Sequence, residues 1–154
     1  MALQIVLNYE EGAENSVLHG DSHSETFLSE IFDAKPFPDR HMTMESIYEY
    51  GSRSGFWRLK KLFNDFNYPV TVFGVAMAME RNREAVESML DSHWEIASHG
   101  YRWISYQAVN KELEREHIAK AIEIHEKITG DKFMKADVTN VLNRVESNIL
   151  DYLS

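Results

Sequence analysis

Glu10 and Glu11 are adjacent carboxylates at the end of a short apolar run. Neighbouring negative charges push proton affinities apart, which leaves one group able to take a proton from water near neutral pH. Spacing alone also fits two exposed acids that solvate a turn, so the pair by itself is a weak signal. His99 is the next candidate, within Ser98-His99-Gly100-Tyr101-Arg102-Trp103. Its imidazole stands beside a glycine that allows close backbone approach, and Trp103 can stack on a planar substrate. A purely structural histidine fits the same position equally well.

Two further histidine pairs are less informative. His19 and His23 are four apart with Asp21 between them, a spacing that could hold a metal on a helix, but Gly20 and the polar neighbours read as a surface loop. His117 and His125 are eight apart on one expected helix, too distant to chelate together, and read as boundary residues of its packed face. Neither pair supports a metal site. Arg40, Glu45, Tyr48, Arg53 and Arg58 offer hydrogen-bonding groups to a polar ligand, as residues of any acidic surface do.

The elements that must position these groups follow from periodicity. Leu3, Ile5, Val6 and Leu7 predict a short strand over 3–8 that delivers Glu10 and Glu11 at its tip. Residues 13–54 show little regular pattern, with at most one short helix near 24–33. From Gly55 onward, Phe56, Leu59, Leu62, Phe63 and Phe66 share a helical face that Asn67 and Pro69 terminate. Val70 to Val75 then reads as a strand covered on both faces. A helix near 82–91, a strand over 94–97 and a helix over 110–128 with Gly130 as C-cap complete the pattern. Alternating strands and helices imply parallel βα units, whose βα loops emerge at one rim, so Glu10 and His99 are expected on the same end of the sheet. Val138, Val141, Leu142, Val145, Ile149 and Leu153 predict a last amphipathic helix.

Composition bounds the rest. The 154 residues are 44% hydrophobic and 12% aromatic, enough for one sizeable core. Sixteen basic against 25 acidic side chains give a net charge of −9, which opposes a phosphate backbone or an anionic membrane surface. There is no cysteine, hence no disulfide and no thiolate metal site. No apolar run approaches the roughly 18 residues of a membrane span, and the N-terminus lacks a basic lead. The expectation is a cytoplasmic protein that binds neither nucleic acid nor membrane.

Several motifs together carry a family resemblance: Leu7-Asn8-Tyr9-Glu10-Glu11-Gly12, Glu14-Asn15-Ser16 with His19-Gly20-Asp21, Met44-Glu45-Ser46, and Tyr48-Glu49-Tyr50-Gly51. Arg53, Gly55-Phe56-Trp57-Arg58-Leu59, the strand 69–74 and Trp94-Glu95-Ile96-Ala97-Ser98-His99-Gly100 continue it. Over roughly residues 3–130 the chain resembles the metal-independent allantoinases of the polysaccharide deacetylase superfamily. The resemblance implies an α/β fold, a partial (β/α) barrel of about half a barrel plus a C-terminal helix. It implies two regions, 1–130 within the barrel and 131–154 as a divergent tail.

The resemblance also implies hydrolysis of a non-peptide carbon–nitrogen bond in a small cyclic ureide or amide. Glu10 would activate water, with Glu11 and His99 orienting it or polarising the carbonyl, while Asn15, Glu45, Arg53 and Trp103 would bind substrate. In the metal-dependent members two aspartates occupy the positions of Glu10 and Glu11, and a second histidine stands where this chain has Trp103. That departure implies no metal and no other cofactor. Nothing after Gly130 matches the further barrel strands, and an ordinary barrel needs about 250 residues to close. The expected open sheet edge is to be covered by the tail helix or by another copy in a homo-oligomer, unless the chain is a truncated product. The alternative functions are a catalytically inactive binding or assembly module and a carbohydrate N-deacetylase.

Overall fold

Five residues from Ile5 to Tyr9 form β1, Val70–Gly74 forms β2 and Glu95–Ser98 forms β3. The computed structural model describes residues 3–29 and 31–130. The three strands lie in the order β1-β2-β3 and both pairings are parallel, with Tyr9 opposite Gly74 and Gly74 opposite Ser98. This is the open arc of a partial (β/α) barrel, and among the described residues β1 and β3 each have one strand neighbour. The expected tail helix and the proposed boundary at 131 lie outside the described residues.

Side chains alternate across an extended backbone, so each strand has two chemically different faces. Ile5, Leu7, Tyr9, Val70, Val72 and Ile96 turn to the helical layer. There they join Phe56, Val86, Met89 and Trp94 in the main core cluster. The other face carries Val6, Asn8, Thr71, Phe73, Glu95 and Ala97, of which Val6, Asn8 and Glu95 are exposed. Across it the Thr71 hydroxyl donates to Glu95 Oε2 at 2.7 Å.

The helices depart from expectation in three places. Among the described residues no helix forms at 24–33. Ser24 and Phe37 instead exchange backbone hydrogen bonds of 2.7 and 3.2 Å that close a loop, and the Thr26 hydroxyl donates to the Ala34 carbonyl. A helix forms where none was expected: α1 spans Met42–Tyr50, capped by the His41 ring, and continues through a π turn at Gly51–Gly55 into α2, Phe56–Asp65. The helix expected at 82–91 is preceded by another. α3 spans Ala76–Arg81 and α4 spans Arg83–Asp91, with the break at Asn82. That side chain accepts from the Ala85 N–H, capping α4, and donates to the Tyr9 hydroxyl at 2.8 Å.

α5, Lys111–Thr129, starts at Asn110, whose side-chain oxygen accepts from the Leu113 N–H at 2.8 Å. It ends at Gly130 in the left-handed conformation. His117 and His125 are buried on it: His117 Nδ1 lies 2.9 Å from the Tyr106 hydroxyl, and His125 Nε2 lies 3.0 Å from the Ile96 carbonyl oxygen. Both are packing residues, as their spacing suggested. Among the described residues no helix is long and apolar enough to cross a membrane.

Candidate active site

Glu10 and His99 each lie one residue beyond the end of a strand, and both continue the open face of the sheet. β2 separates their strands, so the two side chains meet over its tip, with His99 Nε2 3.0 Å from Glu10 Oε1. The backbone ladder extends past the strands to hold them there: the His99 N–H donates to the Gly74 carbonyl and the Val75 N–H to the Tyr9 carbonyl, both at 3.0 Å. The Phe73 ring stacks on the imidazole at a centroid distance of 5.6 Å and 25° between planes. His99 Nδ1 is buried without a hydrogen-bond partner among the described residues. While Glu10 is ionised it can only accept, so Nε2 carries the proton and donates it. The pair retains access to water, with 21% of the Glu10 side chain and 23% of that of His99 exposed.

Glu11 faces the other way. β1 ends at Tyr9, and the turn closed by the Ala13 N–H on the Glu10 carbonyl at 3.1 Å carries it toward the helical layer, where it lines a cavity of about 770 Å³ with Glu14, His19, Glu45, Arg53 and Arg81. Its Oε2 accepts from the Glu10 N–H at 3.3 Å. The other oxygen lies against Gly51, where an added Cβ would overlap the carboxylate, so a side chain at the first position of the π turn would require Glu11 to shift. Burial raises the proton affinity of Glu11, two backbone N–H groups partly offset this, and the charges of Glu10 and Glu14 add to it. The reasoning from adjacent acids foresaw such a perturbed carboxyl, but burial is its main cause.

The substrate-binding candidates divide in the same way. Glu45 and Arg53 line the cavity, each engaged by an oppositely charged neighbour. Arg40 meets Glu45 through two nitrogens at 2.6 and 3.1 Å and holds its carboxyl below the usual range, and Arg53 pairs with Glu49. Asn15 and Trp103 do not line it. The Asn15 amide donates to Glu25 Oε2 at 3.1 Å. Trp103 packs edge-on against Phe27 and Tyr48, and its backbone N–H donates to the Ala13 carbonyl at 3.0 Å. Its ring therefore backs Tyr48, which does line the cavity.

Sequence reasoning missed the residues that hold the first loop in place. Arg102 donates to the carbonyls of Ala13 and Glu14 at 3.2 and 3.0 Å and reaches Asp21 at 2.6 Å. Burial alone would raise the Asp21 carboxyl, but Arg102 and the Ser16 N–H override it and hold it below the ordinary range. Arg81 donates to the Gly12 carbonyl at 2.8 Å and meets His19 Nε2, while His19 Nδ1 lies 3.0 Å from the Glu14 carbonyl. His19 is thus part of the cavity wall. Burial, with the charges of Arg81 and Arg102, lowers its proton affinity. These partners lie 60 or more residues apart in sequence, and no local pattern announces such a pairing.

The described residues do not fit a bound metal. Glu10 and Glu11 diverge, Trp103 offers no donor atom next to His99, and no three His, Asp or Glu side chains gather as a ligand set among the described residues.

Parallel βα units with a carboxylate–imidazole contact at the C-terminal ends of their strands are what one arc of a (β/α) barrel presents. The chain belongs to the polysaccharide deacetylase family, whose model matches residues 37–136. A putative polysaccharide deacetylase of Schizosaccharomyces pombe is 42% identical over 130 residues, covering 82% of this chain and 40% of that protein. The structure of a probable polysaccharide deacetylase from Pseudomonas aeruginosa PAO1 superposes with a TM-score of 0.80 at 56% identity, covering 84% of this chain and 43% of the other. That of PuuE allantoinase gives a TM-score of 0.80 at 52% identity with the same coverage. The chain thus spans less than half the length of these relatives.

Proposed function

We propose that the chain supplies the water-activating site of a hydrolase for non-peptide carbon–nitrogen bonds, acting as an allantoinase does on a small cyclic ureide or amide. The observation that carries this reading is the 3.0 Å contact between Glu10 and His99 at the water-accessible tips of β1 and β3. Glu10 takes a proton from water as the oxygen attacks the ring carbonyl carbon. The tetrahedral adduct collapses with cleavage of the C–N bond, and the proton held by Glu10 passes to the leaving nitrogen, giving the ring-opened acid. His99 keeps the carboxylate oriented through Nε2. Glu11, Glu45 and Arg53 line the cavity on the helical side of the β1 tip, which neither Glu10 nor His99 lines, and Asn15 and Trp103 support its loop wall. The likeness to PuuE allantoinase at 52% identity supports the ureide as substrate.

The test is hydrolysis of allantoin by the purified chain and by Glu10→Gln. Turnover that survives EDTA and falls by about 100-fold or more in the variant, at an unchanged melting temperature, is the expected result. Full activity in Glu10→Gln would remove Glu10 from the mechanism. A second reading, release of acetate from an N-acetylated sugar, is favoured by the descriptions of the family and of the yeast and Pseudomonas relatives. Acetate release from chitin oligomers without ureide turnover would select it. Turnover of neither substrate would leave a binding or assembly module.

A further inference from the structure

Glu10 Oε1 has two partners in the structure. His99 Nε2 meets it at 3.0 Å from one side and the Asn8 amide nitrogen donates to it at 3.3 Å from the other. Asn8 lies on the same face of β1 as Glu10, two residues earlier in an extended strand, so the alternation that exposes Glu10 also brings the amide beside it. Because a carboxylate only accepts, the amide must present its NH₂ group, and Asn8 is fixed in orientation by the contact. Asn8 is itself exposed and belongs to neither core cluster, so packing does not explain it.

We propose that Asn8 is a positioning residue that, with His99, saturates Oε1 and leaves Oε2 as the oxygen that takes the proton from water. The proposal rests on the reading of Glu10 as the base. Two donors on one oxygen stop the carboxylate from rotating about its last bond, since rotation would break both contacts at once. They also stabilise the ionised form, which is the form a base must have. Phe73, stacked on the imidazole, fixes the plane from which His99 donates. Position 8 therefore selects which of two equivalent oxygens does the chemistry.

The experiment uses Asn8→Ala, which removes the donor, Asn8→Asp, which replaces it with a like charge, and Asn8→Ser, which restores a shorter donor. Two readouts are taken. The first is the ¹⁵N spectrum of the His99 imidazole, which needs no turnover and therefore separates this proposal from the assignment of the reaction. A fixed Nε2–H tautomer in the parent should give way to a mixture in the Ala and Asp variants, because the carboxylate is no longer held, and Ser should restore part of the fixed state. The second is the pH profile of kcat/KM for allantoin. Its acid limb should move up by about half a pH unit in Ala, as expected for loss of a part-exposed hydrogen bond to a charged group, and further in Asp. An unmoved tautomer and an unmoved acid limb in both Ala and Asp overturn the proposal. A changed tautomer in a chain that hydrolyses no ureide upholds it and sinks the reaction assignment instead.

Discussion

At the scale of the residue, the two glutamates differ by environment rather than by chemistry. Glu10 faces water and an imidazole, while Glu11 is partly buried with Glu14 nearby. A carboxyl whose proton affinity is raised on folding binds its proton more tightly in the native state, so protonation favours folding. The stability it contributes is fully present below the ordinary Glu value of about 4.3 and is lost as pH rises through the higher folded-state value. Glu11→Gln should therefore melt higher than the parent at pH 7, and the difference should shrink toward pH 4. A melting series over that range checks this, and a difference independent of pH would show that Glu11 is not held in a raised state.

At the scale of the element, much of the scaffold was legible. β2, with Val70 and Val72 on its buried face, follows a helix stop at Asn67 and Pro69; α2 and α5 form where periodicity placed them, although Leu59, Leu62 and Phe66 of the expected α2 face and Leu113 of α5 stay exposed. What escaped had a physical reason. α1 buries only Met44 and Tyr48 while Met42, Ile47 and Tyr50 stay exposed, so its apolar residues trace no stripe. α3 is Ala-Met-Ala-Met-Glu-Arg with Ala76, Ala78 and Met79 fully buried, and such a short segment has too little polar face to show a period. The loop over 24–37 turns on Leu28 and Asp33 at positive φ, which propensity does not foresee in leucine. The Glu10–His99 pairing was legible because parallel βα units share a rim. The divergence of Glu11 was not legible in the same way, because β1 ends at Tyr9 and Glu11 lies in the turn beyond it.

The strand tip makes a further demand on sequence. At Gly74 an added Cβ would overlap Met79 Sδ, so a side chain at the end of β2 would require the buried Met79 to shift. Gly74→Ala should cost about 1–3 kcal/mol in denaturant unfolding, since overpacking forces Met79 from its buried position. Stability unchanged by that substitution would mean that Met79 repacks freely.

At the scale of the whole molecule, the sheet has two open edges and an open face among the described residues. An unpaired strand edge is a template for another strand, and pairing with a second copy is one way to satisfy it. The expected result in light scattering at micromolar concentration is the mass of a dimer or larger assembly, and a monomeric mass would remove edge pairing as the explanation. The net charge of −9 opposes such association, so added salt should favour the assembled form.

The strand end that leaves Glu10 on one side of β1 and Glu11 on the other has an evolutionary corollary. Two identical residues in succession hold different posts because pairing ends with Tyr9 opposite Gly74 and the chain turns directly after Glu10. Deleting one residue within β1 would bring Glu11 to the place that Glu10 holds, and inserting one would bring Glu10 to that of Glu11, without altering either side chain; a sequence alignment that misplaced a gap there would assign the proposed base to the wrong glutamate. On the proposed reading, the identity of the base is thus a property of strand register, and a lineage can lose it through a change in length as surely as through a substitution.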